Sequence, residues 1–159
     1  LSGGGHYIAA GFSIKDDKIP ELIAFLKKEI THTCSSNELY ADCFLTISTA
    51  TSVPFMEMLG ELEPFGTGNR HPKFVIKNVE IISPMAVGRG HIRAILDDGS
   101  GKILRTIAFK SCGTNLENIM FNYKRPINVL GSLTMSEWKG KKHISMTLED
   151  IADGDYEDE

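Results

Sequence analysis

The chain has 159 residues, 42% hydrophobic and 24% charged, a balance typical of globular proteins rather than of disordered or membrane-spanning ones. No apolar run approaches the roughly 20 residues that cross a bilayer, so no membrane partner is expected. The three cysteines are odd in number and include no CxxC pair, which argues against a disulfide framework or zinc site and favours a reducing, cytoplasmic setting.

The net charge of −4 conceals three blocks of different sign. Residues 1–70 carry a net charge of −4, residues 71–148 carry +7, and residues 149–159 contain seven acids and no base. A basic block between two acidic ones is typical of a domain that binds a polyanion, although scattered surface charge gives the same sum. The tail, residues 152–159, is predicted to be disordered.

The first 62 residues predict a mixture of helix and strand. Residues 1–11 are too rich in Gly and Ala for a regular element, whereas residues 19–30 have apolar side chains at helical spacing, with Pro20 in the first turn. Residues 39–47 alternate as in a half-buried strand, and residues 53–62 predict a short amphipathic helix.

Residues 63–72 contain two prolines and two glycines, which interrupt regular structure, so we predict a linker between two domains here. Five strand-like runs follow, at residues 74–82, 91–97, 103–109, 126–133 and 142–150, with a helical patch at 115–123. Five strands with one helix between the third and fourth are the OB arrangement. We therefore predict an OB-fold β-barrel over residues 73–151, although other small barrels give similar patterns.

The segment GGGHYIAAG, residues 3–11, is the first candidate site. Successive glycines expose backbone N–H groups and permit positive φ, so Gly4 and Gly5 could bind a phosphate, with the side chain of His6 as a further donor. A flexible glycine linker is the alternative interpretation.

GGGHYIAAG resembles the signature of the DHHA1 domain, the substrate-binding half of DHH phosphoesterases. LEPFGTGN, residues 62–69, resembles the LEPFGxGN segment that joins DHHA1 to an OB domain in RecJ-like single-stranded-DNA exonucleases. Residues 144–151 are similar to the last OB strand of that family, whereas Asn69-Arg70 departs from its frequent Asn-Pro. The resemblance implies an α+β chain: an incomplete DHHA1 α/β domain over residues 1–62, then the linker and the five-stranded OB-fold β-barrel. Because Leu1 runs directly into the motif, we expect a C-terminal fragment.

The resemblance also implies what this fragment lacks. RecJ-like enzymes bind Mn²⁺ or Mg²⁺ through Asp and His clusters of an upstream DHH domain, and two-metal hydrolysis needs several convergent carboxylates. The chain contains no Asp-His-His or DxD motif, and Asp16-Asp17 and Asp97-Asp98 are interpreted as a helix start and a hairpin turn. We expect no catalytic residue, metal ligand or cofactor here, and no activity of the fragment alone. The parent would degrade single-stranded DNA from its 5′ end in recombination and repair, with other DNA-repair proteins as partners.

Binding of a single strand combines phosphate neutralisation with base stacking. Alternation along the second barrel strand places His91 and Arg93 opposite the apolar side, and Arg105 lies on the third strand. A turn near residue 139 surrounds the single tryptophan with lysines. The predicted DNA contacts are Arg89, His91, Arg93, Arg105, Lys110, Trp138, Lys139, Lys141 and Lys142. Trp138 either stacks on a base or caps the end of the barrel.

Two other functions remain open at this stage. The chain could be a non-enzymatic module that binds single-stranded nucleic acid. It could also derive from another DHH enzyme, acting on oligonucleotides or cyclic dinucleotides. Those enzymes typically lack the barrel and the LEPFGxGN linker, and the net charge of +7 on residues 71–148 argues against a substrate of only a few nucleotides.

Overall fold

The structure, a computed structural model, describes residues 2–6, 9–29, 38–123 and 126–154. The chain forms two compact units, Leu1–Leu39 and Tyr40–Glu159. The linker predicted at residues 63–72 therefore lies within the second unit, because two short helices that precede it pack against the barrel.

The first unit contains β1 (Ser2–His6), β2 (Ala9–Ser13), a 3-10 turn (Asp16–Lys18) and α1 (Ile19–Glu29). The irregular start predicted for residues 1–11 is wrong, because β1 and β2 pair as an antiparallel hairpin. Residue 30, the last of the predicted helical pattern, lies outside the described residues. No residue of α1 is buried, and Phe25 is 59% exposed.

The second unit contains β3 (Cys43–Leu45), α2 (Ile47–Ala50), α3 (Val53–Gly60), β4 (Phe74–Val87), β5 (His91–Asp97), β6 (Ile103–Ala108), α4 (Asn115–Asn122), β7 (Ile127–Trp138) and β8 (Lys141–Asp153). The sheet order is β3-β4-β5-β6-β8-β7, and pairing of β4 with β7 closes strands β4–β8 into a barrel. Since α4 lies between the third and fourth barrel strands, the predicted OB arrangement is confirmed. β8 extends to Asp153, within the predicted tail, and residues 155–159 lie outside the described residues.

The strand predicted at residues 39–47 is mostly wrong. Only β3, with three residues, is extended, and it pairs in parallel with β4. Thr46 caps α2 by accepting a hydrogen bond from the backbone N–H of Thr49, and the carboxylate of Asp98 accepts one from the N–H of Ile47 at 3.1 Å. These bonds start a helix where alternation alone favours a strand.

The core lies inside the barrel, and its alternation decides which side chains remain outside. On β5 the side chains of Ile92, Ala94 and Leu96 are buried, whereas that of Arg93 is exposed. Each large apolar side chain buried in this way contributes about 1.5–3 kcal/mol. This burial holds the outward-facing side chains of β5 in place.

Asn128, on β7, is a buried polar side chain that joins three segments. Its Oδ1 accepts a hydrogen bond from the backbone N–H of Asn78 at 3.1 Å, and its Nδ2 donates to the carbonyl oxygen of Asp153 at 3.0 Å.

No helix within the described residues has the length and apolar character needed to span a membrane.

Candidate nucleic-acid interface

The exposed side of β5 and β6 carries two arginines close to each other. Arg93 pairs with Ile107 across the two strands, and Ile95 pairs with Arg105. Arg93 and Arg105 are therefore diagonal neighbours, with Cα atoms about 7–8 Å apart. Both side chains are exposed, and neither forms an ion pair with a carboxylate in the part of the chain that the structure describes.

Apolar side chains surround these arginines. Met85 on β4 pairs with Arg93, whose Nη2 lies 3.4 Å from the Met85 sulfur, and Ile82 pairs with Ile95. Ile82, Met85 and Ile103 are 38%, 47% and 50% exposed. We call this surface the outer face; it consists of Ile82, Met85, Arg93, Ile103 and Arg105. Sequence reasoning did not include its apolar members, although strand alternation already places Ile103 on the side of Arg105.

One end of β5 carries three of the predicted contacts. Arg89 is exposed in the turn between β4 and β5, where the flanking Gly88 and Gly90 have φ of 56° and 85°. The backbone N–H of Lys110 donates to Nδ1 of His91 at 2.9 Å. This bond requires the neutral ring protonated at Nε2, so His91 has only that N–H to offer a ligand. The ring of His91 also contacts the exposed ring of Phe109, with centroids 5.1 Å apart.

The β7–β8 hairpin carries the remaining predicted DNA contacts, which are Trp138, Lys139, Lys141 and Lys142. Lys139 and Gly140, with φ of 50° and 72°, form a two-residue turn of the kind that joins twisted strands. Trp138 is 68% exposed, which leaves its ring accessible for stacking and argues against the alternative of capping the barrel. Lys139 and Lys141 are exposed and make no ion pair with any described residue.

Lys142 differs from its neighbours because it already has a carboxylate partner. Its Nζ lies 2.5 Å from Oε1 of Glu57 on α3. The hydrogen bond from Lys142 to Glu57 raises the pKa of this lysine above its ordinary value. A phosphate would have to compete with Glu57 for it, so Lys142 is a weaker candidate than Lys139 or Lys141.

The strand register places these groups along the barrel. Ile92 pairs with Ala108, so the turn that contains Arg89 lies at the C-terminal end of β6. β8 runs parallel to β6, with Ser145 beside Arg105, so the β7–β8 hairpin projects beyond the N-terminal end of β6. The predicted contacts therefore lie at both ends of these strands, with Arg93 and Arg105 between them.

The glycine segment of the first unit is extended. Gly4 pairs with Gly11 and Gly5 with Ala10 in the β1–β2 hairpin, rather than forming a loop of positive-φ residues. The backbone of His6 belongs to β1, but its side chain lies outside what the structure describes. Phosphate binding by Gly4, Gly5 and His6 stays a prediction.

The described ranges contain no cluster of three or more His, Cys, Asp or Glu side chains that could hold a metal ion. Asp97 and Asp98 accept backbone hydrogen bonds from Gly99 and Ser100 at 2.8 and 3.0 Å, as expected of a hairpin turn.

Comparison with known proteins places the barrel in a family. The model of the RecJ OB domain matches residues 41–150. The single-stranded-DNA-specific exonucleases RecJ of Bacillus subtilis and Dickeya dadantii are each 24% identical to this chain, over 97% and 95% of its length. The chain spans only 20% and 26% of those two proteins.

Among solved structures, RecJ from Thermus thermophilus in complex with Mg²⁺ has a similar fold, with a TM-score of 0.65 and 23% identity. The alignment covers 98% of this chain and 23% of that protein. The Mn²⁺ complex of the same protein gives a TM-score of 0.62. Since the family model matches well over half of its residues, the chain belongs to the RecJ OB domain family.

Proposed function

We propose that this chain is the C-terminal, DNA-holding portion of a RecJ-like 5′–3′ single-stranded-DNA exonuclease that acts in recombination and repair. The observation that carries the proposal is the outer face, where Arg93 and Arg105 lie side by side without carboxylate partners among the described residues. The names of the two relatives, single-stranded-DNA-specific exonucleases, support the choice of ligand.

The outer face has the chemistry that an unpaired strand requires. Arg93 and Arg105 can each neutralise a phosphate, and the exposed side chains of Met85 and Ile103 offer apolar contact to the faces of bases. Contacts of these two kinds tolerate any base sequence, as a nuclease that accepts every sequence needs. Exposed Trp138 extends the surface with a stacking platform.

The remainder of the proposal concerns parts beyond the barrel. Residues 1–62 would be the end of a DHHA1 domain, in which Gly4, Gly5 and His6 contact a substrate phosphate. Cleavage would take place at Mn²⁺ or Mg²⁺ ions bound by an upstream DHH domain, so the chain alone would bind DNA without degrading it. The GGGHYIAAG motif supports this assignment, as does the four- to fivefold greater length of the two relatives. The match to the OB domain model favours this parent over phosphodiesterases that lack a barrel.

The test is the salt dependence of binding to a labelled single-stranded oligonucleotide, measured by fluorescence anisotropy. Each phosphate contact with single-stranded DNA contributes about 0.7 to the slope of log K against log salt. The double variant Arg93→Glu with Arg105→Glu should lower the slope by about 1.4 and weaken binding at low salt.

A matched control reverses the same number of charges elsewhere. Lys27 and Lys28 are exposed on α1, so Lys27→Glu with Lys28→Glu changes the net charge equally without touching the barrel. The control should have the same salt slope as the unmutated chain. If the Arg93/Arg105 variant also keeps that slope, the proposed surface is refuted. If both double variants lower the slope equally, the change reflects net charge rather than contacts at the outer face.

A further inference from the structure

One side of the β7–β8 hairpin is covered by α3, and the other side carries an exposed histidine. Leu133 pairs with Met146, and both side chains are buried, which fixes the inner side of the two strands. Lys142 lies on this inner side, where it reaches Glu57 on α3. Because side chains alternate along a strand, the exposed side chain of His143 lies on the outer side, away from α3.

The strand register puts His143 in line with the two arginines of the outer face. Arg105 pairs with Ser145 on the neighbouring strand β8, and His143 precedes Ser145 by two residues. His143 is therefore a diagonal neighbour of Arg105, just as Arg105 is a diagonal neighbour of Arg93. Both steps run toward the tip of the β7–β8 hairpin, so the three side chains form one diagonal row across β5, β6 and β8.

The same row continues onto β7. His143 pairs with Ser136, and Trp138 follows two residues nearer the tip, so Trp138 is the next diagonal neighbour. We call Arg93, Arg105, His143 and Trp138 the diagonal row. Its successive Cα atoms lie about 7–8 Å apart, a distance comparable to the spacing of phosphates along an extended single strand. A strand that follows the two arginines toward the Trp138 ring therefore passes over His143.

The ring of His143 is available to such a strand. It forms no hydrogen bond or ion pair with any residue that the structure describes. The charged side chains next to it on the outer side are both cations, Lys141 on β8 and Arg105 on β6, and β7 presents only uncharged side chains there. The carboxylates Glu57 and Glu137 lie on the inner side with Lys142, so no acid competes with a phosphate for the ring.

We propose that His143 contacts a phosphate of the bound single strand and that its charge makes this binding dependent on pH, an inference that rests on the proposed function. At high pH the neutral ring offers one N–H donor to a phosphate oxygen. At low pH both ring nitrogens carry a proton, and the ring adds a positive charge between Arg105 and Lys141. Because an adjacent phosphate favours the charged ring, the strand binds more tightly as the pH falls and binding takes up a proton.

The experiment measures the affinity of rhodamine-labelled oligo(dT) by fluorescence anisotropy at low salt, at about pH 5.5 and about pH 8, which span the range where histidine changes charge. Thymine takes up no proton between these values, so a change in affinity arises from the protein. His143→Gln keeps an N–H donor but cannot become charged. It should bind like the unmutated chain at the higher pH. The ratio of its affinities at the lower and the higher pH should fall about 3-fold below that of the unmutated chain, the effect of one exposed ion pair.

Two further variants make the result specific. His143→Lys is charged at both pH values, so it should bind about 3-fold more tightly than the unmutated chain at the higher pH and show the same reduced ratio as His143→Gln. His71→Gln is the matched control, because the His71 ring packs against Phe65 on the side of β7 that α3 covers. It should keep the ratio of the unmutated chain.

The outcomes separate this inference from the proposed function. An unchanged ratio in His143→Gln, an equal reduction in His71→Gln, or no gain in affinity for His143→Lys at the higher pH overturns the phosphate contact of His143. Each of these results leaves the DNA-holding role of the arginines intact. Failure of the unmutated chain to bind oligo(dT) at either pH overturns both.

Discussion

Gly131 is the position in the barrel where an added methyl group should cost most. It lies in β7 beside a bulge in the pairing with β8. A Cβ built there would overlap the carbonyl oxygen of Thr147 and lie 3.1 Å from Cε of Met146. Because the overlapping atom belongs to the backbone of β8, rotation of a side chain cannot relieve the clash, and the two strands must separate.

The cost of Gly131→Ala has two parts. Overpacking of a closely packed interior costs about 1–3 kcal/mol. Separation of the strands weakens about two backbone hydrogen bonds, each worth about 1 kcal/mol. We expect a loss of about 3–5 kcal/mol in the free energy of unfolding, or about 12–20 °C in melting temperature for a domain of this size.

The measurement is thermal unfolding followed by far-ultraviolet circular dichroism. Gly60→Ala is the matched control, because its Cβ meets open space at the end of α3 and alanine favours helix. It should melt at the temperature of the parent or slightly above. If Gly131→Ala melts within about 2 °C of the parent, the close approach of β7 to β8 is not a constraint and the reasoning fails.

Three further predictions concern stability, binding and pH. Asn128→Ala leaves two backbone groups without their partner and should lower the free energy of unfolding in urea by about 1–3 kcal/mol. Trp138→Ala should change stability by less than about 0.5 kcal/mol but weaken single-strand binding about 5-fold or more, measured by anisotropy. A hydrogen bond from the Ser100 side chain lowers the pKa of the Asp98 carboxyl below its ordinary value, with help from backbone N–H groups. Such a group stabilises the fold above its unfolded pKa and loses that contribution as the pH falls through its folded pKa. Asp98→Asn should therefore destabilise at pH 7, with the difference from the parent narrowing below about pH 4 in urea titrations at each pH.

Each of these has a result that would contradict it. An Asn128→Ala variant as stable as the parent would mean that water replaces the lost amide. Loss of stability in Trp138→Ala would indicate that the ring packs on the barrel and is not available to stack on a base. A constant difference in stability between Asp98→Asn and the unmutated chain from pH 7 to pH 3 would mean that ionisation of Asp98 does not contribute to the stability of the fold.

The sequence alone predicted the barrel and the side of each strand that carries charge. Alternation with a period of two, interrupted by turn residues, is a local property, so β5 was predicted with the bounds that it has. The outward position of Arg93 follows from the same alternation, because burial of Ile92 and Ala94 leaves no other side for it. The resemblance to RecJ-like exonucleases also came from short motifs, and the match over residues 41–150 confirms it for the barrel, whereas the DHHA1 assignment of residues 1–62 stays a prediction.

Tertiary structure decided what local pattern could not. The glycine-rich start became a hairpin because β2 supplies hydrogen-bond partners, and residues 39–47 were divided between β3 and α2 because Asp98, about 50 residues away, holds the start of the helix. Lys142 forms an ion pair with Glu57, which lies 85 residues away in the sequence, so its charge is already partly neutralised. Packing between distant segments likewise brings α3 beside β7. Periodicity determines which way a side chain points, whereas only long-range packing determines what it meets there.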